Sequence, residues 1–130
     1  LGIGDIDLSG SLAWTHSRVR AGGTAMDGMR PAQVPDLMLS ATAAWRPVEG
    51  ADLSATLRHV GAQYEDDLET DRLPPATTLD LYGRLELRPG LSLTGRAENL
   101  FDETVVTRNA GGSIDLGTPR TLWVGLRVER

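Results

Sequence analysis

The sequence predicts an all-β protein: an antiparallel up-and-down meander of about six strands that is part of a larger transmembrane β-barrel. Two observations support this fold class. Polar and apolar residues alternate with a period of two in six separate segments, as in strands with one polar and one apolar face. The connections between the segments are long, short, long, short and long, and outer-membrane barrels have short turns on one side and long loops on the other.

The first predicted strand covers residues 5–16. Leu8 and Leu12 lie at even-numbered positions, which form one parity of the strand, and Ser9 and Ser11 lie at odd-numbered positions, which form the other. In a helix, Leu8, Ser9 and Leu12 would lie on one face and would form no coherent apolar stripe. Period two therefore favours a strand over a helix in this segment.

The second and third predicted strands cover residues 37–45 and 52–58 and alternate in the same way. Residues 46–50 between them contain a proline and a glycine, which is typical of a tight turn. The glycine- and proline-rich stretch at 20–35 predicts a long loop before the second strand, and residues 61–76 predict another after the third.

The fourth predicted strand, residues 78–87, has the clearest alternation, and the fifth covers residues 91–98. Residues 88–90, an Arg-Pro-Gly sequence, predict a tight turn between them but leave the strand register open within about two residues. A third long loop at about 102–118 precedes the sixth strand, residues 121–128.

The apolar parity carries no charged residue through the middle of any of these strands. A soluble sheet would cover such a face with a second layer, and the sequence contains no helical segment that could form one. Strands of about nine to eleven residues also suit a tilted crossing of a bilayer. We therefore expect the apolar face to contact lipid, with Trp14 and Trp45 near its two interfaces, and the polar face to line a lumen.

Composition disfavours several other classes of protein. The formal net charge of -5 disfavours nucleic-acid binding, and the absence of cysteine excludes disulfides and thiolate metal sites. No catalytic or cofactor-binding motif occurs, so we expect no enzyme activity, cofactor or metal. The acidic stretch at 65–71 could hold Ca²⁺, and His16 or His59 could bind metal or haem. Neither has a ligand spacing, so a solvated loop and ordinary surface histidines are favoured.

Charged residues of both signs lie on the polar parity of the fourth and fifth strands. These predicted lumen-facing residues are Asp80, Arg84, Glu86, Arg96 and Glu98. They could contact a substrate, but a mixed-charge ladder against water or a plug is favoured, because opposite charges on neighbouring strands are mildly stabilising.

Several short motifs occur in a fixed order along the whole chain. The most specific is the Asn99-Leu100-Phe101-Asp102 stretch, and the Gly117-Thr118-Pro119-Arg120 stretch opens the last strand. Others include Val34-Pro35, Trp45-Arg46-Pro47, the run from Arg58 to Tyr64, and Leu73-Pro74. In this order and spacing, the set resembles the C-terminal third of TonB-dependent outer-membrane receptors.

Such receptors have a plug domain inside a 22-stranded barrel and import scarce nutrients such as iron–siderophore complexes, with energy delivered by TonB. The resemblance implies that residues 1–130 are a C-terminal fragment of the barrel, without a plug, from a Gram-negative outer membrane. The expected partners are outer-membrane lipid, the plug, the remaining strands and TonB. The alternative is a soluble all-β binding or self-associating domain, and an isolated fragment is expected to self-associate.

The resemblance also implies a structural corner made by Asn99, Phe101, Asp102 and Arg120. Asn and Asp at the end of a strand most simply satisfy backbone donors in the bend. Phe101 is expected to anchor the corner, and the Arg120 side chain to reach a carboxylate there, such as Asp102. On this hypothesis, Arg120→Ala would loosen the loop at 102–118.

Overall fold

The computed structural model of the protein describes residues 4–130, in which all regular structure is β-strand. The strands are β1 (Asp5–Trp14), β2 (Leu37–Arg46), β3 (Ala51–Val60), β4 (Gln63–Tyr64), β5 (Arg72–Leu73), β6 (Ala76–Arg88), β7 (Leu91–Glu98), β8 (Val106–Ala110), β9 (Ser113–Leu116) and β10 (Thr121–Val128). No helix in this part of the chain is long and apolar enough to cross a membrane.

Six of the strands form one antiparallel sheet in the order β1-β2-β3-β6-β7-β10. The six-stranded meander predicted from the alternating segments is confirmed. The other four strands are two small antiparallel pairs, β4 with β5 and β8 with β9, which lie within the second and third long loops. The sequence prediction missed both pairs, because strands of two to five residues are too short to show a clear period.

The register keeps polar residues opposite polar residues across the sheet. Thr42 lies opposite Ser9 on one side and Thr56 on the other, and the hydroxyl oxygens of Thr42 and Thr56 are 3.0 Å apart. In the neighbouring row, Leu57 lies opposite both Ala41 and Leu79. A slip of one residue would exchange the two faces, so the alternation in the sequence fixes this pairing.

The turn between β6 and β7 contains the register shift that the sequence left open. Glu86 pairs with Ser92 and Arg88 pairs with Leu91, so one extra residue is accommodated on β6 as a bulge. Gly90 has a φ of 78°, and a Cβ there would lie 2.7 Å from the carbonyl oxygen of Glu129. This turn therefore requires glycine both for its backbone conformation and for the close approach of the last strand.

Within residues 4–130, no second layer packs against the apolar face of the sheet. Among residues 4–130, Leu73 is the one buried hydrophobic residue, at 1% exposure, whereas Leu8 and Val124 on the main sheet are 78% and 83% exposed. Trp14 and Trp45 lie at opposite ends of the β1–β2 pair on this face. An apolar surface of this extent needs a partner that replaces water.

Candidate functional site

Asn99 forms the corner where β7 leaves the sheet and enters the third long loop. It is 4% exposed and has a φ of 49°, a left-handed conformation that Asn adopts more readily than most residues. Its Oδ1 accepts the N–H of Glu103 at 2.9 Å, and its Nδ2 donates to the carbonyl oxygens of Glu103 at 2.8 Å and Thr118 at 3.1 Å. One side chain thus holds the departing and the returning ends of the loop together.

Asp80 joins this corner to the polar face of the sheet. Its Oδ1 accepts the backbone N–H of Asn99 at 2.9 Å, and its Oδ2 lies 2.6 Å from Nη1 of Arg58. The Asp80 side chain therefore connects β3 and β6 with the end of β7, at the point where the loop begins.

The other three predicted corner residues, Phe101, Asp102 and Arg120, differ in how they contact the loop. Oδ1 of Asp102 accepts a hydrogen bond from the backbone N–H of Arg120 at 3.0 Å, so the contact does not require the guanidinium. Asp102 itself has a φ of 55°. Phe101 is 71% exposed, so it packs little against residues 4–130, and an anchoring role for it would need a surface beyond them.

This geometry revises the expected effect of mutating the corner. Asp102→Gly keeps the left-handed backbone but removes the acceptor for the Arg120 N–H, and we expect faster proteolysis between residues 103 and 118. Arg120→Ala leaves that hydrogen bond in place and is the matched control. Equal cleavage rates in the two variants would show that the Asp102 carboxylate does not hold the loop.

Four of the five predicted lumen-facing residues, Asp80, Arg84, Arg96 and Glu98, form ion pairs within the sheet. Arg84 lies 3.5 Å from Asp52, and Arg96 lies 2.7 Å from Glu98 on the same strand. Glu86 lies at the opposite end of β6 from the corner, where its backbone N–H donates to the carbonyl oxygen of Gly50 at 2.7 Å. The predicted residues are therefore spread along the face and do not converge on one point. Exposed pairs of this kind each contribute up to about 1 kcal/mol.

The sequence analysis did not identify two aromatic residues on the polar parity as candidate site residues. Tyr82 lies opposite Arg96 on β7, and Arg96 lies opposite Trp123 on β10. The three side chains, with Glu98, line an open pocket of about 420 Å³. The available signal was the position of Tyr82 and Trp123 on the otherwise polar parity of their strands.

In the acidic stretch at 65–71, the Asp66 side chain accepts hydrogen bonds from the residues that follow it. Its Oδ1 accepts the N–H of Leu68 at 2.8 Å, and its Oδ2 accepts the hydroxyl of Thr70 at 2.7 Å and the N–H of Asp71 at 2.9 Å. The Thr70 hydroxyl, followed by the backbone N–H of Asp71, lowers the pKa of Asp66 to about 2. This carboxylate serves the turn of its own loop.

Because the pKa of Asp66 is lowered from 3.8, its ionised form stabilises the folded loop. That contribution is present above about pH 4 and is lost as the pH falls towards about 2. We expect hydrogen exchange at Leu68, Thr70 and Asp71, corrected for intrinsic rates, to lose protection across this range. Asp66→Asn, which does not titrate, should show no such step. A step that persisted in that variant would assign it to another group.

The metal alternatives gain no geometric support. Within residues 4–130, no three His, Asp or Glu side chains converge as metal ligands would. Nδ1 of His59 lies 2.7 Å from the hydroxyl oxygen of Thr77, a neighbour across the β3–β6 pair. A hydrogen bond to an adjacent strand accounts for this ring.

The family of the chain follows from comparison with known proteins. A sequence model of the family described as TonB dependent receptor-like, beta-barrel, matches residues 3–100, which is more than half of the chain. The chain belongs to this family. Its members are TonB-dependent receptors of the Gram-negative outer membrane, built from a plug and a barrel. The family predicted from the ordered motifs is thereby confirmed. Nothing among curated protein sequences matches the chain.

Solved receptor structures contain the same sheet. The ferric preacinetobactin receptor BauA from Acinetobacter baumannii has a TM-score of 0.77 at 22% identity, covering 95% of this chain and 19% of its own. The siderophore receptor PiuA from Acinetobacter baumannii has a TM-score of 0.80 at 13% identity, covering 95% and 19%. The ferric citrate transporter FecA has a TM-score of 0.81 at 19% identity, covering 94% and 21%. At these identities the similarity establishes a shared fold, and this chain spans about a fifth of each receptor.

Proposed function

We propose that this chain forms barrel wall in an outer-membrane receptor for TonB-energised uptake of a scarce nutrient, such as an iron–siderophore complex. The observation that carries the proposal is the six-stranded sheet itself. It matches the barrel of a ferric citrate transporter with a TM-score of 0.81 over 94% of the chain. Family membership supports a receptor and transport role in preference to an enzymatic one.

We infer that residues 1–130 supply the last six strands of the barrel, while the plug and the other strands come from the rest of the receptor. The open edges at β1 and β10 offer backbone hydrogen-bonding groups to further strands. The exposed apolar face, with ten-residue strands such as β1 and β2, fits contact with outer-membrane lipid.

The polar face then faces the lumen. Its proposed lumen-facing residues are Asp80, Arg84, Glu86, Arg96 and Glu98. Asp80 and Arg84 pair with charges on the neighbouring strand β3, and Arg96 pairs with Glu98 on its own strand. This pairing supports a role in the inner wall against water or the plug, because paired charges leave fewer free groups for a substrate. We place the corner residues Asn99, Phe101, Asp102 and Arg120 in a structural role at the loop side of the wall.

Uptake in cells tests this function. A Gram-negative strain lacking the full-length receptor is compared with the complemented strain, under iron limitation, for accumulation of ⁵⁵Fe from a panel of ferric siderophores. We expect the receptor to restore uptake of at least one complex, and deletion of TonB to abolish that uptake. Equal accumulation with and without the receptor across the panel would contradict siderophore transport. Uptake that survives the loss of TonB would contradict the proposed energy source.

The exposed apolar face also keeps the alternative of a soluble, self-associating domain open to a direct test. Separated from its neighbouring strands, the chain is expected to self-associate in plain buffer and to become smaller in detergent. Analytical ultracentrifugation with and without detergent measures both states. A stable monomer in plain buffer would argue against lipid contact through Leu8, Val124 and the other exposed apolar residues.

A further inference from the structure

Three long connections extend from the same end of the sheet. We name residues 15–36 the first loop, residues 61–75 the acidic loop and residues 99–120 the hairpin loop. The acidic loop lies between the other two in sequence and follows the central strand β3. Its contacts explain why so many of its residues carry carboxylates.

Two carboxylates of the acidic loop bind backbone N–H groups of the first loop. Oε1 of Glu69 accepts the N–H of Arg30 at 2.7 Å, and Oδ1 of Asp67 accepts the N–H of Ala32 at 2.6 Å. Hydrogen bonds to an ionised acceptor are stronger than those between neutral groups. These two hold the last third of the first loop against the acidic loop.

Further contacts join the same two segments. The N–H of Gln33 donates to the carbonyl oxygen of Tyr64 at 2.7 Å, and its side-chain amide donates to Glu65 at 3.2 Å. The guanidinium of Arg30 lies 5.9 Å from the centre of the Tyr64 ring and pairs with Asp36 at 2.7 Å. Backbone, side-chain amide and cation–π contacts therefore all join the end of the first loop to the start of the acidic loop.

The opposite side of the acidic loop binds the hairpin loop in the same way. Oδ2 of Asp71 accepts the N–H of Gly111 at 3.1 Å, and Oε2 of Glu65 accepts the N–H of Asn109 at 3.5 Å. Glu65 thus contacts both neighbouring loops, one through each carboxylate oxygen.

The acidic loop is the connecting element between its neighbours. Among residues 4–130, no hydrogen bond or ion pair joins the first loop directly to the hairpin loop. The acidic loop is also internally braced, by the hydrogen bonds to Asp66 and by Leu73, which is fully buried. A braced element that binds two others can transmit the displacement of one to the other.

We propose that the acidic loop is a strap that couples the first loop and the hairpin loop, so that the order of each loop depends on the order of the other. The coupling is carried by the carboxylates of Glu65, Asp67, Glu69 and Asp71 acting on backbone N–H groups. By reciprocity, loosening either side weakens the order of the other.

Hydrogen exchange of the full-length receptor in detergent tests whether loosening the contacts to the first loop also loosens the hairpin loop. The variant Asp67→Ala with Glu69→Asn removes the two carboxylates that accept backbone N–H groups of the first loop, and Asn is compatible with the φ of 56° at position 69. We expect exchange to rise at least about fivefold at residues 29–36 and also at 106–116, which neither side chain contacts. The matched control is Asp27→Ala, because Asp27 accepts a backbone N–H within the first loop only, from Ala21. Its effect should stay within the first loop.

A variant that removes a contact to the hairpin loop tests the same coupling in the reverse direction. Asp71→Ala removes the acceptor for the N–H of Gly111 and is expected to raise exchange both at 106–116 and at 29–36. If each variant loosens only the loop that it contacts, the loops move independently and the strap is wrong. If neither loop changes, the carboxylates do not hold them, and the proposal fails as well. Because exchange is read without any ligand or uptake, these outcomes are separate from the test of transport.

Discussion

Replacing Asn99 with alanine is expected to lower the free energy of unfolding of the receptor by about 3 kcal/mol, at about 1 kcal/mol for each of the three side-chain hydrogen bonds that it loses. Asn99 itself is 4% exposed, whereas Glu103 and Thr118 are exposed, so the loss is expected to come from the three hydrogen bonds of the buried amide and not from burial of its partners. Alanine also tolerates the left-handed backbone at this corner poorly.

Denaturant unfolding of the full-length receptor in lipid measures this effect. The matched control is Asn109→Ala in the hairpin loop, because the side-chain Oδ1 of Asn109 has no hydrogen-bond partner among residues 4–130. We expect this control to cost less than about 1 kcal/mol, as is usual for a substitution that breaks no network. Comparable losses in the two variants would show that the hydrogen bonds of Asn99 do not hold the corner.

The main sheet could be predicted from the sequence because its faces differ so strongly. Alternation locates each strand, and the two tight turns place neighbours side by side. The bulge near Leu87 could not be predicted in the same way. One extra residue on β6 shifts the pairing of Arg88 without changing the composition of either strand, so the pattern of residues carries no sign of it.

A bend next to the third long loop could be expected from the sequence, but its hydrogen bonds could not. Asn99 and Asp102 are residue types that favour bends, so their position next to a long loop was a sufficient signal. The partner of Asn99 at Thr118 lies 19 residues further along the chain, and that pairing depends on how the loop closes. Likewise, arginine at position 120 suggested a side-chain ion pair, whereas the contact uses a backbone N–H that every residue except proline has.

The acidic loop shows the same limit more strongly. Its carboxylates suggested either a cation site or a solvated loop, and both hypotheses assume that the partners of the carboxylates are cations or water. The structure instead pairs Glu69 and Asp67 with backbone N–H groups 39 and 35 residues away. Every residue type except proline has a backbone N–H, so the sequence does not show which of these groups a carboxylate will bind. Contacts of this kind between loops can be recognised only once the strands have positioned the loops.

Asp80→Ala is expected to lower the free energy of unfolding by about 2 kcal/mol, which is typical for loss of a hydrogen bond to a charged group. The carboxylate does two things that no single neighbour replaces: it accepts the N–H of the buried Asn99 and it pairs with Arg58. The ion pair contributes little by itself, because the Arg58 side chain is 56% exposed and water screens its charge. Most of the loss should therefore come from the unpaired N–H at the corner.

Two further variants separate these contributions in the same unfolding measurement. Arg58→Ala removes the ion pair but keeps the acceptor for Asn99, and Asp52→Ala removes an aspartate that pairs with Arg84 on the same polar face. Each is expected to cost less than about 1 kcal/mol, since both break only a partly exposed pair. If Asp80→Ala proved no more costly than these two, the carboxylate would be an ordinary member of the charged face. The larger loss would instead identify Asp80 as the residue that fixes the last long loop to the sheet.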